Sequence, residues 1–262
     1  MPPPLPSSLP PDLVTVVSSL TLFYALDLFH RHYISPLFPS YVSFPPAARF
    51  DWDRRSLNLF FQLVQTPFNL YLLLLDPHTQ ADPLYGYSPL AHLGFLIIVA
   101  FYLYDAAGIV MHPTPPSSSP LWLFHHSVAV ALLVYDISYR RCSALPAAAF
   151  LISAAGHVSN EARWLCTVTD VRDQRLLKPL HLFCVLVPLV TCGLPPPWLL
   201  YKCARQLRVS VVQLVAQQMR PYCLFFFIII YVPHLGLIAY QARRAYRLWG
   251  AAPKPFRIKK LD

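Results

Sequence analysis

Seven long apolar stretches constrain this chain more than any other feature of its sequence. Each runs for 18 to 22 residues, and they cover 13–34, 57–75, 90–111, 121–139, 142–159, 180–201 and 222–241. A helix needs about 20 apolar residues to cross a bilayer, and backbone groups in lipid must be hydrogen-bonded within the helix. No stretch shows the alternation of barrel strands. The sequence therefore predicts an all-α, polytopic transmembrane helix bundle of about seven spans, with six to eight compatible.

The composition agrees with a membrane protein. Only 13% of the 262 residues are charged, whereas a soluble domain carries about 25%. Lysines and arginines outnumber acidic residues by 21 to 12, but they lie between apolar stretches, so nucleic acid is not a predicted partner. The six cysteines form no CxxC pair, which argues against a disulfide framework or a zinc site.

Two stretches and one connector are irregular. The range 142–159 is short and contains Pro146, and the triplet Pro195-Pro196-Pro197 is expected to end the span 180–201 early. Residues 209–219 predict an interfacial helix, with an additional short span as the alternative. One face of that helix is expected to carry Val211, Val212, Val215 and Met219.

Basic residues in the short loops predict the orientation. With seven spans and a lumenal N-terminus, 14 basic loop and tail residues fall on the cytosolic side and six on the lumenal side. Arg49, Arg54 and Arg55 are counted in the first cytosolic loop. The chain ends in Lys259-Lys260-Leu261-Asp262, which looks like a dilysine retrieval signal of the endoplasmic reticulum. A basic tail that lies on anionic lipid is the alternative.

Ionisable residues within the predicted spans concentrate at one end. Asp105 is expected about 9 Å inside the third span, and His125 and His126 about 6–8 Å inside the fourth. At these depths the carboxylate and the imidazoles can meet, either as a polar clasp between helices or as a functional pair in which Asp105 orients a histidine. Asp136 lies near the lumenal end, beside Arg140, and is not expected to join them.

A second polar group ends the fifth span. Asn160, Arg163 and Trp164 are spaced to share one helical face, where Arg163 is suited to a phosphate or carboxylate and Trp164 to a binding or an interfacial role. His181 opens the sixth span on the same side. Eight of the ten histidines fall toward this end, which indicates either interfacial polarity or a polar cavity open to the cytosol. Neither an HxxxH nor an HxxHH box occurs, so no metal and no cofactor are predicted.

Four short motifs occur in a characteristic order: Trp52-x-x-Arg55-Ser56, the aromatic stretch ending in Asp105, His125-His126, and Ser159-Asn160-x-x-Arg163-Trp164. In order and spacing they resemble the TLC domain family, which includes ceramide synthases and several non-enzymatic membrane proteins. The resemblance covers 45–245. It leaves a Pro-rich segment at 1–12, a first transmembrane helix at 13–34 that is not a cleaved signal, and a basic cytosolic tail at 246–262.

The longer ceramide synthase signature does not follow the histidine pair here, because SVAVALLVYDISYRRC stands in its place. The resemblance therefore implies the branch without a settled reaction, whose members are linked to membrane lipid composition. We expect a lipid-binding protein of the endoplasmic reticulum membrane that acts in membrane lipid handling or lipid homeostasis. The sequence leaves its enzymatic activity open and favours none over an acyltransferase. Its predicted lipid contacts are Asp105, His125, His126, Asn160, Arg163, Trp164 and His181.

Two alternatives remain open at this point. One is an acyl-CoA-dependent N-acyltransferase that acts on a sphingolipid precursor, with His125 or His126 as base or nucleophile and Asp105 as the orienting group. The other is a trafficking receptor of the secretory pathway whose tail, with Lys259 and Lys260, contacts coat machinery.

Overall fold

The computed structural model describes residues 9–112, 120–140, 144–169 and 174–219, together with scattered positions between 221 and 246. These residues form helices and connecting turns, with no strand among them. The helices are α1 (Leu9–Phe29), α2 (Pro39–Val42), α3 (Pro46–Leu74), α4 (Pro77–Ala81), α5 (Pro89–Met111), α6 (Pro120–Tyr139), α7 (Ala144–Val168), α8 (Gln174–Gly193), α9 (Pro195–Leu207) and α10 (Val211–Gln213). The prediction of an all-α chain is confirmed over this part.

Four helical segments are long and apolar enough to cross a membrane. They are Pro11–Leu37, Pro46–Leu74, Pro89–Met111 and Leu182–Leu207. They correspond to the first, second, third and sixth predicted spans. The fourth and fifth predicted spans are helices α6 and α7, and most of the range 222–241 lies outside the described residues. The chain is thus a multi-pass membrane protein, and the count of seven spans stays a prediction.

The polarity of α3 is the reverse of that of a helix in a soluble protein. Its apolar side chains Phe60, Leu63 and Val64 are more than half exposed, whereas Gln62 and Asn69 are 1% and 0% exposed. Such an arrangement suits a helix that faces lipid on one side and a polar helix interface on the other. The helix also begins earlier than the predicted range 57–75, at Pro46.

Helix α7 is the principal neighbour of α3. Trp52 lies beside Trp164, with ring centroids 5.9 Å apart. Asn58, later in α3, reaches Glu161, which is earlier in α7. Because the positions advance along α3 as they recede along α7, the two helices are antiparallel. Helix α7 extends to Val168, nine residues beyond the predicted end of the fifth span at 159, and Pro146 falls within its first turn, where proline is tolerated.

Aromatic rings join α1, α3 and α5. Phe23 contacts Phe61 and Phe101 at 5.3 Å between centroids, and Phe61 stacks on Phe101 at 3.9 Å. Gly94 lets α3 and α5 approach closely, since a Cβ built there would lie 2.2 Å from the ring of Phe68. This packing fixes α5, and Asp105 on it, against α3.

Prolines shape the break between α8 and α9. Helix α8 ends at Gly193, and Pro195 and Pro196 occupy the first turn of α9, where their missing N–H groups leave no helical bond unmade. The predicted early end at the triplet is therefore present, but the triplet also starts a new helix. After it, α10 and a π-helical turn, Leu214–Gln218, form the expected short helical segment.

The predicted apolar face of that segment is only partly present. Met219 is buried and Val215 packs against the core, but Val212 is 76% exposed. The π-helical turn explains the difference, because its wider turn shifts the residues that follow away from the 3.6-residue repeat on which the prediction rests.

A buried polar cluster connects the end of α1 to the start of α3. Arg31 is hydrogen-bonded to Asp27, with Nη2 2.6 Å from Oδ2, while the Asp53 carboxylate accepts hydrogen bonds from Ser35 and Tyr41. Burial of Tyr41, together with the neighbouring Asp53 carboxylate, raises the pKa of its phenol to about 12. These contacts hold the connection between α1 and α3 against the bundle.

Candidate functional site

Asp105 is the centre of the candidate site. Arg54 of α3 donates from Nη1 to both carboxylate oxygens, at 3.0 Å to Oδ1 and 3.2 Å to Oδ2. On the other side, Nε2 of His126 lies 3.2 Å from Oδ2. Asp105 and His126 are 4% and 5% exposed. One carboxylate thus joins α3, α5 and α6 inside the bundle.

A second ion pair continues from there to α7. Arg55 donates from Nη1 to Oε2 of Glu161 at 3.0 Å, and from Nε to Asp51 at 3.0 Å. Asp51 also lies 3.7 Å from Nη2 of Arg54, which links the two pairs. We name the set Asp51, Arg54, Arg55, Asp105, His126 and Glu161 the charged network.

The charged network is expensive to bury. Removing ions from water costs several kcal/mol each, and their mutual attraction repays this only with good geometry. Two guanidinium groups face three carboxylates in the network, so its formal charge is −1 while His126 is neutral. Ionisable groups within membrane helices mark functional sites more often than they add stability.

Aromatic and imidazole rings line the side of the network toward α6. Tyr102 lies 4.9 Å from His126 and 6.2 Å from His125, between ring centroids. Trp122 lies 6.0 Å from His125 and 5.5 Å from His157 of α7. His157 therefore lies near the histidine pair, because it contacts the same Trp122 ring as His125.

The three residues predicted to share a face at the end of the fifth span, Asn160, Arg163 and Trp164, make contacts in two different directions. Arg163 donates to Oδ1 of Asn160 at 3.3 Å, so these two residues share a face as expected. Trp164 instead packs toward α3, where the guanidinium of Arg55 lies 4.8 Å from its ring centroid. The indole is therefore a cation–π partner of the charged network.

The predicted meeting of Asp105 with the histidine pair is present, through His126. The assignment of Arg54 and Arg55 to a loop is wrong, because both lie within α3 and are paired with carboxylates. They do not serve as loop charges in the orientation argument. His181 falls in α8, but its side chain lies outside the described residues, as do Lys259 and Lys260.

At the other end of the bundle, Asp136 is buried, and it lines a small pocket with Arg140, Ser88 and His92. That position agrees with the expectation that it does not reach His125. Among the described residues, no group of three or more His, Cys, Asp or Glu side chains is arranged to hold a metal ion.

Sequence reasoning missed Arg54, Glu161 and the polar face of α3. The signal was present in the spacing, because Asp51, Arg55 and Asn58 recur every three or four residues and so share one face of a helix. The predicted second span begins at residue 57, so the charged residues before it were placed outside the helix and the shared face was missed.

Comparison with known proteins identifies the family of the chain. The model of the TLC domain matches residues 51–238, which is most of the chain. Human TLC domain-containing protein 4 is 32% identical over 102 residues, which are 38% of this chain and 38% of that protein. The chain thus aligns with well under half the length of this curated relative, and no solved structure matches it. The match over 51–238 takes in α3, α5, α6 and α7, and the chain belongs to the TLC domain family.

Proposed function

We propose that the protein acts in membrane lipid handling or lipid homeostasis, and that the charged network binds the polar head of a membrane lipid. The observation that carries the proposal is the Asp105 carboxylate, held between Arg54 and His126 within helices that are apolar on their outer side. A buried ionic cluster of this kind is a poor source of stability, which favours a role in binding.

The net charge of the charged network restricts the class of lipid headgroup that fits it. Because its carboxylates outnumber its guanidinium groups by one while His126 is neutral, a headgroup that carries an ammonium or several hydrogen-bond donors balances it better than a purely anionic one. Arg163 lies two residues after Glu161 on α7, about 3 Å further along the helix and on its opposite side. Its guanidinium group is suited to the phosphate of a zwitterionic lipid.

We propose the endoplasmic reticulum membrane as the location, with a cytosolic C-terminus. Lys259 and Lys260 stand at the dilysine positions. The basic bias stays on the proposed cytosolic side without the three arginines of the first loop that lie within α3, Arg49, Arg54 and Arg55, with 11 basic residues against six. The charged network then lies toward the cytosolic ends of α5 and α6.

A second candidate is an acyltransferase that uses acyl-CoA. The contact of 3.2 Å between Asp105 and His126 favours it, since a carboxylate that orients an imidazole is a common base arrangement. Against it, Arg54 occupies both oxygens of the same carboxylate, and this stabilises the negative charge of Asp105 before any imidazolium forms. We therefore rank lipid binding first.

One preparation separates the two functions. The full-length protein is purified in mild detergent, and its co-purified lipids are compared by mass spectrometry with those of the source membrane. Lipid binding predicts strong enrichment of one headgroup class. The same preparation, given a sphingoid base and acyl-CoA, tests acyl transfer. Transfer that is abolished by His126→Ala would establish the second candidate in place of the first.

A further inference from the structure

The polar face of α3 continues beyond the charged network. Asn58, Gln62, Gln65 and Asn69 follow one another at helical spacing, within about 60° around the helix axis. Their exposed fractions are 9%, 1%, 3% and 0%. We name these four residues the amide track. With Asp51 and Arg55 it extends over about 27 Å of helix, close to the hydrocarbon thickness of a bilayer, about 30 Å.

Only the first part of the amide track is satisfied by protein groups. Nδ2 of Asn58 reaches Glu161 at 3.5 Å, and Nε2 of Gln62 donates to Oδ1 of Asn58 at 3.0 Å. In the part of the chain that the structure describes, Oε1 of Gln62 and both polar atoms of Gln65 and of Asn69 have no hydrogen-bond partner. An unsatisfied buried polar group costs about 1–3 kcal/mol, so five of them on one helix face indicate a partner outside the described residues.

The stretch of α7 across from this part of α3 contains both small and large side chains. The antiparallel register of α3 and α7, fixed by the pairs Trp52–Trp164 and Arg55–Glu161, places Gln65 and Asn69 across from the stretch of α7 before residue 156. That stretch buries Ala147, Ala148, Ala154 and Ala155, together with Phe150 and Leu151. Where an alanine faces an amide, its small side chain leaves more room for a narrow group than a leucine would.

We propose that the amide track between α3 and α7 binds a neutral hydroxyl group. The unpartnered atoms include amide N–H donors and carbonyl acceptors, so the ligand must both donate and accept hydrogen bonds. A phosphate offers no donor to the carbonyl oxygens, and an ammonium offers no acceptor to the N–H groups. The hydroxyl belongs either to a lipid or to water. The proposal rests on the unpartnered atoms of Gln62, Gln65 and Asn69, and it does not depend on the function proposed for the charged network.

The test uses the full-length protein in phosphatidylcholine nanodiscs, with thermal unfolding as the readout. Hexadecanol and its methyl ether are the two probes, since the ether accepts hydrogen bonds but donates none. Wild type is compared with Gln65→Met/Asn69→Leu, which keeps the size of both side chains. Leu73→Met, a buried apolar change on the same helix, measures the effect of repacking alone.

A lipid hydroxyl predicts that hexadecanol raises the Tm of wild type by about 2–4 °C or more, while the ether does not and the double variant does not respond. Water predicts no response to hexadecanol, together with a Tm of the double variant at least about 2–4 °C below that of Leu73→Met. If the methyl ether raises the Tm of wild type as much as hexadecanol does, or if hexadecanol raises the Tm of the double variant equally, the result counts as no response. Without a response, a double variant whose Tm is less than about 2 °C below that of Leu73→Met, or above it, overturns the proposal, because replacing unpartnered amides by apolar side chains costs little or is stabilising.

Discussion

Arg54 and Asp105 form a two-point ion pair between α3 and α5, with Nη1 of the arginine 3.0 and 3.2 Å from the two carboxylate oxygens. They are 51 residues apart in the chain, and their side chains are 12% and 6% exposed. The pair positions the carboxylate that His126 contacts, so it connects the packing of the bundle to the candidate site.

Breaking this pair on one side is expected to destabilise the protein. Asp105→Asn leaves the Arg54 cation without its main partner, and such a loss costs about 3–5 kcal/mol in a buried pair. The double variant Arg54→Met/Asp105→Leu leaves no unpaired charge and is expected to lose much less. Thermal unfolding of the wild type, Arg54→Met, Asp105→Leu and the double variant in detergent measures the coupling as a double-mutant cycle. A double variant that loses as much as Asp105→Asn would contradict the expectation, and a double loss equal to the sum of the Arg54→Met and Asp105→Leu losses would show that the two groups are not coupled.

Arg55→Lys is expected to weaken the link between α3 and α7. A lysine keeps the charge, but it cannot bond Asp51 and Glu161 from two nitrogens while it lies on the Trp164 ring. We expect a loss of about 1–3 kcal/mol in the free energy of unfolding. The control is Arg205→Lys at the exposed end of α9. An Arg55→Lys protein as stable as this control would contradict the geometry.

Gly94→Ala is expected to force α3 and α5 apart. The new methyl group would lie 2.2 Å from the Phe68 ring, whereas the nearest atom to a Cβ at Gly108, on the same helix, is 3.6 Å away. Gly94→Ala should therefore destabilise the protein by about 1–3 kcal/mol, and Gly108→Ala should be neutral or slightly stabilising. Thermal unfolding compares the two. Similar Tm values would show that Phe68 moves aside at no cost.

The C-terminal lysines are expected to decide where the protein resides. In cells, Lys259→Ser/Lys260→Ser should move an N-terminally tagged protein from the endoplasmic reticulum to later compartments. Lys254→Ser/Arg257→Ser removes the same charge from the same tail and should leave the location unchanged. If both variants relocate alike, tail charge and not a dilysine signal is responsible. A tail protected from protease in sealed microsomes would contradict the cytosolic orientation.

The membrane class and the helices were predictable because apolar length alone determines them, and the motif order was enough to identify the family. The network around Asp105 was only half predictable. Depth along the helices brings Asp105 to His126, but the choice of Arg54 as a partner depends on how α3 packs against α5, which no local pattern contains. A boundary placed by hydropathy at residue 57 also removed Arg54 and Arg55 from the helix, because charged residues in a membrane helix lower the very signal that is used to find it.

Trp164 shows the same limit at α7. Its spacing from Asn160 and Arg163 predicts a shared face, but two residues one position apart on a helix point about 100° apart. Arg163 turns to Asn160 and Trp164 to Arg55, a division that becomes visible only when α3 is placed beside α7.

The most direct test of lipid binding is the molar ratio of the enriched lipid to purified protein. It is measured for wild type, for Arg54→Met/Asp105→Leu and for Asp12→Asn/His92→Gln. The last variant removes a contact of 3.0 Å between His92 and Asp12, about 20 Å along α5 from Asp105. Binding at the charged network predicts a fixed ratio in wild type and in the Asp12/His92 variant, and its loss in a folded Arg54/Asp105 variant. The same lipid at the same ratio in all three proteins would contradict it.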